Sequence, residues 1–481
     1  MKKVFKSAAF LVASILTLNI HAQDIQEIFA KYNTAACIKY LDDHTLLVLG
    51  SNDVIYKITD DGTILDTQIL FENDTINYLG YTRFYNGLNG KHVFFRIERS
   101  DTAQTYRLYE IDEHLNITDL DFTLPISENI VDIDKANHHI FNADGSWIYS
   151  YIIVGDTQDD YKTKVVKIDT DGNLVGEQIF TNCAQACWYN NLLPTADSLG
   201  CRVIVGRADE SGWLVYDCYT LDVQMNIVDV KENIENLSYP YVPDGGYYRL
   251  NPKNGRIYSI GDFYQKIDGF YPNYTRNLIM SVYDPDLNQM KYRRCPWVTK
   301  TGNAGGSNFT IDFGPENEVY MLGGMDLFDA FTQNLYIACF DEDLNVIGEL
   351  YYKDPKRFLQ YLELAASPQG GCVVSCLDMY TRNGYVYKVT MSDFLNVEEA
   401  HANGFATAMA YPNPGNNRLN IRTALPNSRV EVYDINGKLL HTQQITDIVT
   451  SISSEKWPSG IYIWKVFSGN KEAECGKWVK E

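Results

Sequence analysis

One turn motif recurs seven times along most of the chain, and it constrains the fold more than any other feature. It stands in YKITDDGTIL, YEIDEHLNI, VKIDTDGNLV, YTLDVQMNIV, VYDPDLNQM, CFDEDLNVIG and YKVTMSDFLNV, with Asp60, Asp112, Asp169, Asp222, Asp284, Asp341 and Ser392 at the turn. A second series precedes each member: LDDHTLLVL, NGLNGKHVFF, NADGSWIYS, ADSLGCRVIV, NPKNGRIYSI, GPENEVYML and SPQGGCVVS. Members of each series lie between 46 and 63 residues apart, the period of a repeat architecture. Each unit therefore reads strand A, tight turn, strand B, variable loop, strand C, Asp-rich turn, strand D. Four antiparallel strands per unit make one propeller blade, and seven blades in a ring remove the sheet edges that an open array would expose. The prediction is an all-β chain with a seven-bladed β-propeller of four-stranded blades over 23–405. The units lack a Trp-Asp signature, and Gly323-Gly324 lacks the aromatic partners of a kelch repeat. No specific propeller family is matched.

The remainder, 406–481, has a different grammar. Tyr411-Pro412-Asn413-Pro414-Gly415 cannot be helix or central strand. Alternating apolar and polar residues follow over 418–422, 430–435 and 461–466, the pattern of half-buried strands. Asn436-Gly437 lies between two such runs, which predicts a hairpin with a type I′ turn. About seven short strands imply a small Ig-like β-sandwich. The YPNP opening, L-x-I, V-x-V-Y-D-x-x-G-K, S-G-I-Y and the closing Lys-apolar-apolar run resemble the type A C-terminal sorting domain of type IX secretion system cargo. Cys475, placed just before the expected last strand, departs from that pattern. The resemblance implies export across the outer membrane by the type IX machinery, then release or attachment at the cell surface.

The other end agrees with export. Lys2, Lys3 and Lys6 precede an apolar stretch from Ala8 to Leu18, and Ile20-His21-Ala22 precedes Gln23. This is the pattern of a signal peptide over 1–22, cleaved between Ala22 and Gln23. The apolar stretch is too short to span a bilayer. Loss of those three lysines would take the formal charge from −21 to −24. Such a surface repels phosphate backbones and anionic lipid, so neither nucleic acid nor a membrane span is expected. The 45% hydrophobic and 13% aromatic content supports a large core. Of ten cysteines, Cys183, Cys187, Cys201 and Cys218 are the densest group. Disulfides, buried thiols and a zinc site stay open for them, with zinc disfavoured because no histidine is near and C-x2-C spacing is missing.

Reactive chemistry is harder to find. The chain has no G-x-S-x-G, H-E-x-x-H or P-loop. Asp144-Gly145-Ser146-Trp147 occurs once and lacks sialidase-box spacing. Asp169 to Asn173 resembles a calcium loop, but its glycine is misplaced and Phe180 stands where a bidentate Glu belongs. Asp159-Asp160 and Asp326 with Asp329 read as solvated loop charge. No catalytic, cofactor-binding or metal-binding residue is assigned, no cofactor is expected, and the chain is expected to be a monomer.

Geometry gives a better lead. In a meander of A to D strands, the B–C loops and D-to-A connections share one face of the ring. Three long segments meet there: 231–246, 261–277 and 295–308. They carry Tyr239, Tyr241, Phe263, Tyr264, Phe270, Tyr271, Tyr274 and Trp297. Tyrosine and tryptophan offer flat apolar faces with a polar edge, suited to sugars or peptide side chains. Pinning the loops down is the other role such residues fill. The candidate ligand residues are Tyr241, Arg249, Phe263, Tyr264, Tyr271 and Tyr274. Inner strands also carry Lys39, Arg83, His139, Arg249, Asp312 and Glu363, whose mixed signs predict a solvated, partly self-paired channel. The expected function is binding of an extracellular glycan or protein by an exported propeller. The alternative is a hydrolase or lyase acting on polysaccharide or peptide through acids of the long-loop face.

Overall fold

The computed structural model describes residues 25–31, 37–50, 54–70, 77–81, 84–86, 91–99, 104–123, 130–132, 139–142, 144–154, 161–181, 191–208, 214–235, 241–265, 277–294, 303–305, 310–325, 334–352, 354, 356–394, 408–411, 415–423, 428–445, 449–468 and 471–480. Seven antiparallel sheets follow in chain order, each with its strands in the A-B-C-D order, and two further sheets form the tail. Blade five is representative: Tyr241–Leu250, Ile257–Gln265, Asn277–Tyr283 and Gln289–Arg294. The inner strand is split in blades two, three and six, for example into Ile130–Asp132 and His139–Phe141 in blade three.

The Asp-rich turn has one recurring construction. Asp222 accepts the backbone N–H of Gln224 and Asn226 at 2.9 and 2.8 Å, and Asn226 Nδ2 donates back to Asp222 Oδ2 at 3.1 Å. Asp112, Asp169, Asp284 and Asp341 repeat this with Asn116, Asn173, Asn288 and Asn345. Side-chain acceptors that satisfy backbone donors two and four residues on explain why aspartate recurs here. The Asp169 carboxylate is thus occupied by its own turn. Position four of the turn takes φ > 0, and it holds Gly172 in blade three but Leu115, Met225, Leu287 and Leu344 in blades two, four, five and six. A left-handed leucine costs about 1–2 kcal/mol. All four side chains are buried, each packed into the junction with the preceding blade. Burial of such a side chain contributes about 1.5–3 kcal/mol and outweighs the strain.

These plugs belong to a ring of interfaces. Among the described residues, seven hydrophobic clusters lie at the seven successive blade junctions, from one–two through seven–one. Cations of one blade also latch onto the turn of the next. Lys57 Nζ donates to the Glu113 carbonyl at 2.7 Å, Lys231 Nζ to that of Asp286 at 2.8 Å, and Lys291 Nζ to Asn345 Oδ1 at 2.8 Å.

Blades one and seven depart from the sequence reading. In blade one the turn begins at Thr59, which takes the role expected of Asp60, and Asp60 instead pairs with Lys388 of blade seven at 2.7 Å. In blade seven the strand Gly384–Val389 is followed by a short helix, Met391–Phe394, so Ser392 forms no Asp-rich turn, and among the described residues no strand D follows it. Thr390 is the reason: its N–H and hydroxyl both reach Asp393 Oδ2 at 2.6 Å, a helix-starting pair of caps. The vacant outer place is filled by Gln26–Lys31, which pairs antiparallel with Gly384–Val389. Ile28 and Phe29 are buried there, and the Phe29 ring meets Tyr56 of blade one edge-on at 5.1 Å. Arg357 holds this strand from outside, paired with Glu27 and seated over the Tyr385 ring at 4.0 Å. The N-terminal strand therefore closes the ring.

The tail packs a three-stranded sheet (Ala408–Tyr411, Arg418–Thr423, Val449–Ser453) with a four-stranded one (Leu439–Gln444, Ser428–Asp434, Gly460–Ser468, Lys471–Lys480). Leu419, Ile421, Val430, Val432, Trp464 and Trp478 form its core. Asn436-Gly437 does not make the expected type I′ turn. Only Gly437 has φ > 0, at 81°, and Asp434 accepts the N–H of Asn436 and Lys438, both at 2.9 Å. The hairpin thus uses a longer turn with a bulge, closed by the same carboxylate device as the blades. Cys475 lies within the last strand, opposite Lys465, rather than before it.

Candidate functional site

The inner strands of all seven blades surround a cavity of about 480 Å³. Its wall includes Phe141, Pro194, Asn251, Lys253 and Phe313, at the ends of inner strands nearest the A–B turns. Of the channel residues expected from sequence, Lys39, His139, Arg249, Asp312 and Glu363 line it together, and Arg83 lies outside the described residues. Arg249 Nη2 contacts Asp312 Oδ1 at 2.9 Å, Nη1 donates to the Ile311 carbonyl, and the guanidinium lies over the Phe313 ring at 5.8 Å. Asp312 Oδ2 accepts the Ala366 N–H at 2.8 Å, and Glu363 Oε2 accepts that of Ile38 at 2.9 Å. These two carboxylates staple blade six to seven and blade seven to one.

Lys39 is placed differently. It has no ion pair within 4 Å among the described residues, although Asp312 and Glu363 both act on it through space. Burial lowers the pKa of its ammonium, Asp312 and Glu363 oppose that shift, and Arg249 adds to it. Its charge is felt across the channel wall, since burial and Lys39 together push His92 down to about 4. The His139 ring is packed edge-on against Tyr85 at 4.9 Å and Trp147 at 5.6 Å.

A second buried polar group sits between blades four and five and is not evident in the sequence. Glu235 Oε1 accepts the hydroxyls of Tyr248 at 2.7 Å, Tyr283 at 3.2 Å and Ser259 at 3.4 Å. Burial raises its pKa, with the three hydroxyls opposing. It lies in a connection that looks like solvated loop, and the only hint is the adjoining Ile234, which packs into the same junction.

The face lead divides in the structure. A–B and C–D turns span four to six residues, whereas connections on the opposite face span four to eleven, the longest being the eleven between Gln265 and Asn277. Tyr241, Phe263 and Tyr264 stand together at the long-connection end of blade five, where Tyr241 pairs with Gln265, Val242 with Tyr264, and Pro243 with Phe263. Arg249 belongs to the other end of the same strand, about 26 Å away at roughly 3.3 Å per residue. It faces the channel and does not join those aromatics. Tyr271 and Tyr274 lie outside the described residues, as do Tyr239, Phe270, Trp297, Asp159-Asp160, Asp326, Asp329 and the Ala22–Gln23 bond.

Other sequence candidates resolve into turn chemistry or packing. Asp144 accepts the N–H and hydroxyl of Ser146 at 2.9 and 2.6 Å, which makes that stretch an A–B turn. Cys201, Cys218, Cys372 and Cys376 are free thiols, and burial pushes Cys201 and Cys218 up to about 12. Cys183, Cys187 and Cys295 lie outside the described residues. Among the described residues no group of three or more His, Cys, Asp or Glu side chains could hold a metal ion, and no helix is long and apolar enough to cross a membrane.

Residues 409–481 match the secretion system C-terminal sorting domain. The sorting domain marks this chain as exported cargo of type IX secretion, destined for release or surface attachment. No curated protein matches the chain. Solved structures similar to it include the WD40 β-propeller domain of Doa1, at 10% identity and TM-score 0.43, covering 77% of this chain and 99% of that one. BamB from Moraxella catarrhalis matches at 10% identity and TM-score 0.36, covering 76% and 100%. An α-L-arabinanase of Penicillium chrysogenum complexed with arabinobiose matches at 12% and 0.42, covering 66% and 94%. Likenesses this distant carry no ligand or activity to this chain.

Proposed function

We propose that this cargo is a binding protein whose propeller engages an extracellular glycan or protein through its long-connection face. One observation carries the reading: the turn face is tied blade to blade by plugs and cation latches, while connection length and the aromatics Tyr241, Phe263 and Tyr264 collect on the opposite face. Tyr271 and Tyr274 belong to the same proposal by sequence. A signal peptide over 1–22, a propeller over 23–405 and a sorting domain over 406–481 complete it, with passage through the periplasm to release or surface attachment.

The test is a screen of the secreted chain against glycan and peptide arrays, read for both retention and product. Retention without product is expected. Tyr264→Ala should then weaken binding of the retained ligand more than tenfold with the thermal midpoint nearly unchanged, as expected for a side chain that anchors a ligand. Product release abolished by one carboxylate change would overturn this reading in favour of a hydrolase or lyase.

A further inference from the structure

We propose that the central cavity is a second, separate site, which takes a small organic carboxylate of sugar-acid size. Its volume of about 480 Å³ lies within the range of small-molecule pockets, roughly 300–1,000 Å³. Its wall carries Lys39, Arg249 and Lys253 against Asp312 and Glu363, so cations exceed carboxylates inside a chain of formal charge −21. That local reversal of sign favours an anion.

The existing bonds show which groups remain to receive it. Both carboxylates are engaged by backbone N–H groups, and Asp312 also by Arg249. Lys253 Nζ is turned to the Gly314 and Pro315 carbonyls at 2.8 and 3.2 Å. Lys39 has no such partner among the described residues, so its ammonium is the charge left over. An ammonium in a confined wall loses hydration that a neutral ligand cannot restore, and a carboxylate oxygen restores it best. Arg249 commits one N–H on each of two nitrogens, which leaves further donors of its five for the same anion. Phe84, Phe141 and Phe313 supply apolar faces for a ring body. In the partly self-paired channel expected from mixed signs, Arg249 with Asp312 is a paired part and Lys39 an unpaired one among the described residues.

The full secreted chain would be titrated by calorimetry and thermal shift with sodium glucuronate, its uncharged counterpart glucose, sodium acetate and sodium sulfate. Saturable glucuronate binding is expected, with a concentration-dependent rise in thermal midpoint, a weaker acetate response and none from glucose. Lys39→Met should weaken glucuronate at least tenfold while the unliganded midpoint holds or rises. Tyr264→Ala should leave glucuronate unaffected, which separates this site from the long-connection face. Equal responses to glucose and glucuronate, an equal response to sulfate, no response to either carboxylate, or unchanged glucuronate binding in Lys39→Met would each overturn the proposal. Should Lys39→Met not fold, the comparison of glucuronate with glucose and sulfate on the unaltered chain decides alone.

Discussion

The same carboxylate-closed turn serves the propeller and the tail, yet its fourth position answers to different surroundings. In the tail, Gly437 has φ +81° and a Cβ there would meet nothing within 4 Å. In blade six, Leu344 occupies that place at φ 58°, fully buried among side chains of blades five and six. In blade one, Gly62 has φ +91° and its Cβ would lie 2.0 Å from the carbonyl oxygen of Ile28 in the closing strand. One local geometry is therefore a free hairpin, a plug between blades, or a seat for the N-terminus. A turn fixes its own backbone, but its neighbours fix which side chain it can carry.

The largest effect should come from Gly62→Ala, because left-handed strain and a collision with backbone coincide. A loss of about 3 kcal/mol or more is expected from their sum, with the N-terminal strand released. Urea unfolding and hydrogen exchange of Gln26–Lys31 would measure it, and an unchanged midpoint would deny that this strand seats on blade one. Next, Leu344→Ala should cost about 2–4 kcal/mol, since the cavity remains and the strained φ is kept. Gly437→Ala, made in the same chain, should cost only about 1 kcal/mol. Equal losses for the two would erase the distinction between plug and hairpin.

The smallest effect is a difference of slope with pH. Hydrogen bonds from Asn226 hold the Asp222 carboxyl below its ordinary 3.8, so its contribution is present above that value and is lost as pH falls through the folded value. Burial instead raises Asp341, whose charged form is penalised as pH rises from 3.8 through its folded value. Relative to the unaltered chain, Asp222→Asn should therefore be most destabilising above about pH 4, with the difference closing in acid. Asp341→Asn should gain on the unaltered chain as pH rises through that window. Thermal midpoints between pH 3 and 7 would show it, and parallel slopes would refute the difference in environment.

Much of the fold was legible because it repeats. An aspartate that closes its turn in blades two to six, with donors two and four residues on, is a local device, and local devices print themselves in sequence. The apolar plug was visible as Leu-Asn, but its meaning was not, since only the packed neighbour shows that Leu287 or Leu344 is buried at φ > 0. Blade seven misled for a related reason. YKVTMSDFLNV keeps the look of the repeat, while Thr390 and Asp393 cap a helix turn there. At the candidate sites, loop length and composition nominate Tyr241, Phe263 and Tyr264, which the structure places at one end of blade five. Arg249 was grouped with them because it is near in sequence, although a strand carries it to the opposite end. Glu235 gave no signal of its own, because what makes it unusual is the hydroxyls of Tyr248, Tyr283 and Ser259, brought from three strands.

The sequence alone determined the number of blades, the strand order within blades one to six, the turn chemistry of blades two to six and the sorting domain, because each rests on contacts within a few dozen residues. Tertiary structure decided which strand closes the ring, which leucines bear positive φ, and which channel cation stands without an ion-pair or hydrogen-bond partner among the described residues. Those outcomes depend on groups far apart in the chain, such as Ile28 with Gly62 and Lys39 with Asp312, whose approach is set by closing the ring and not by any local preference.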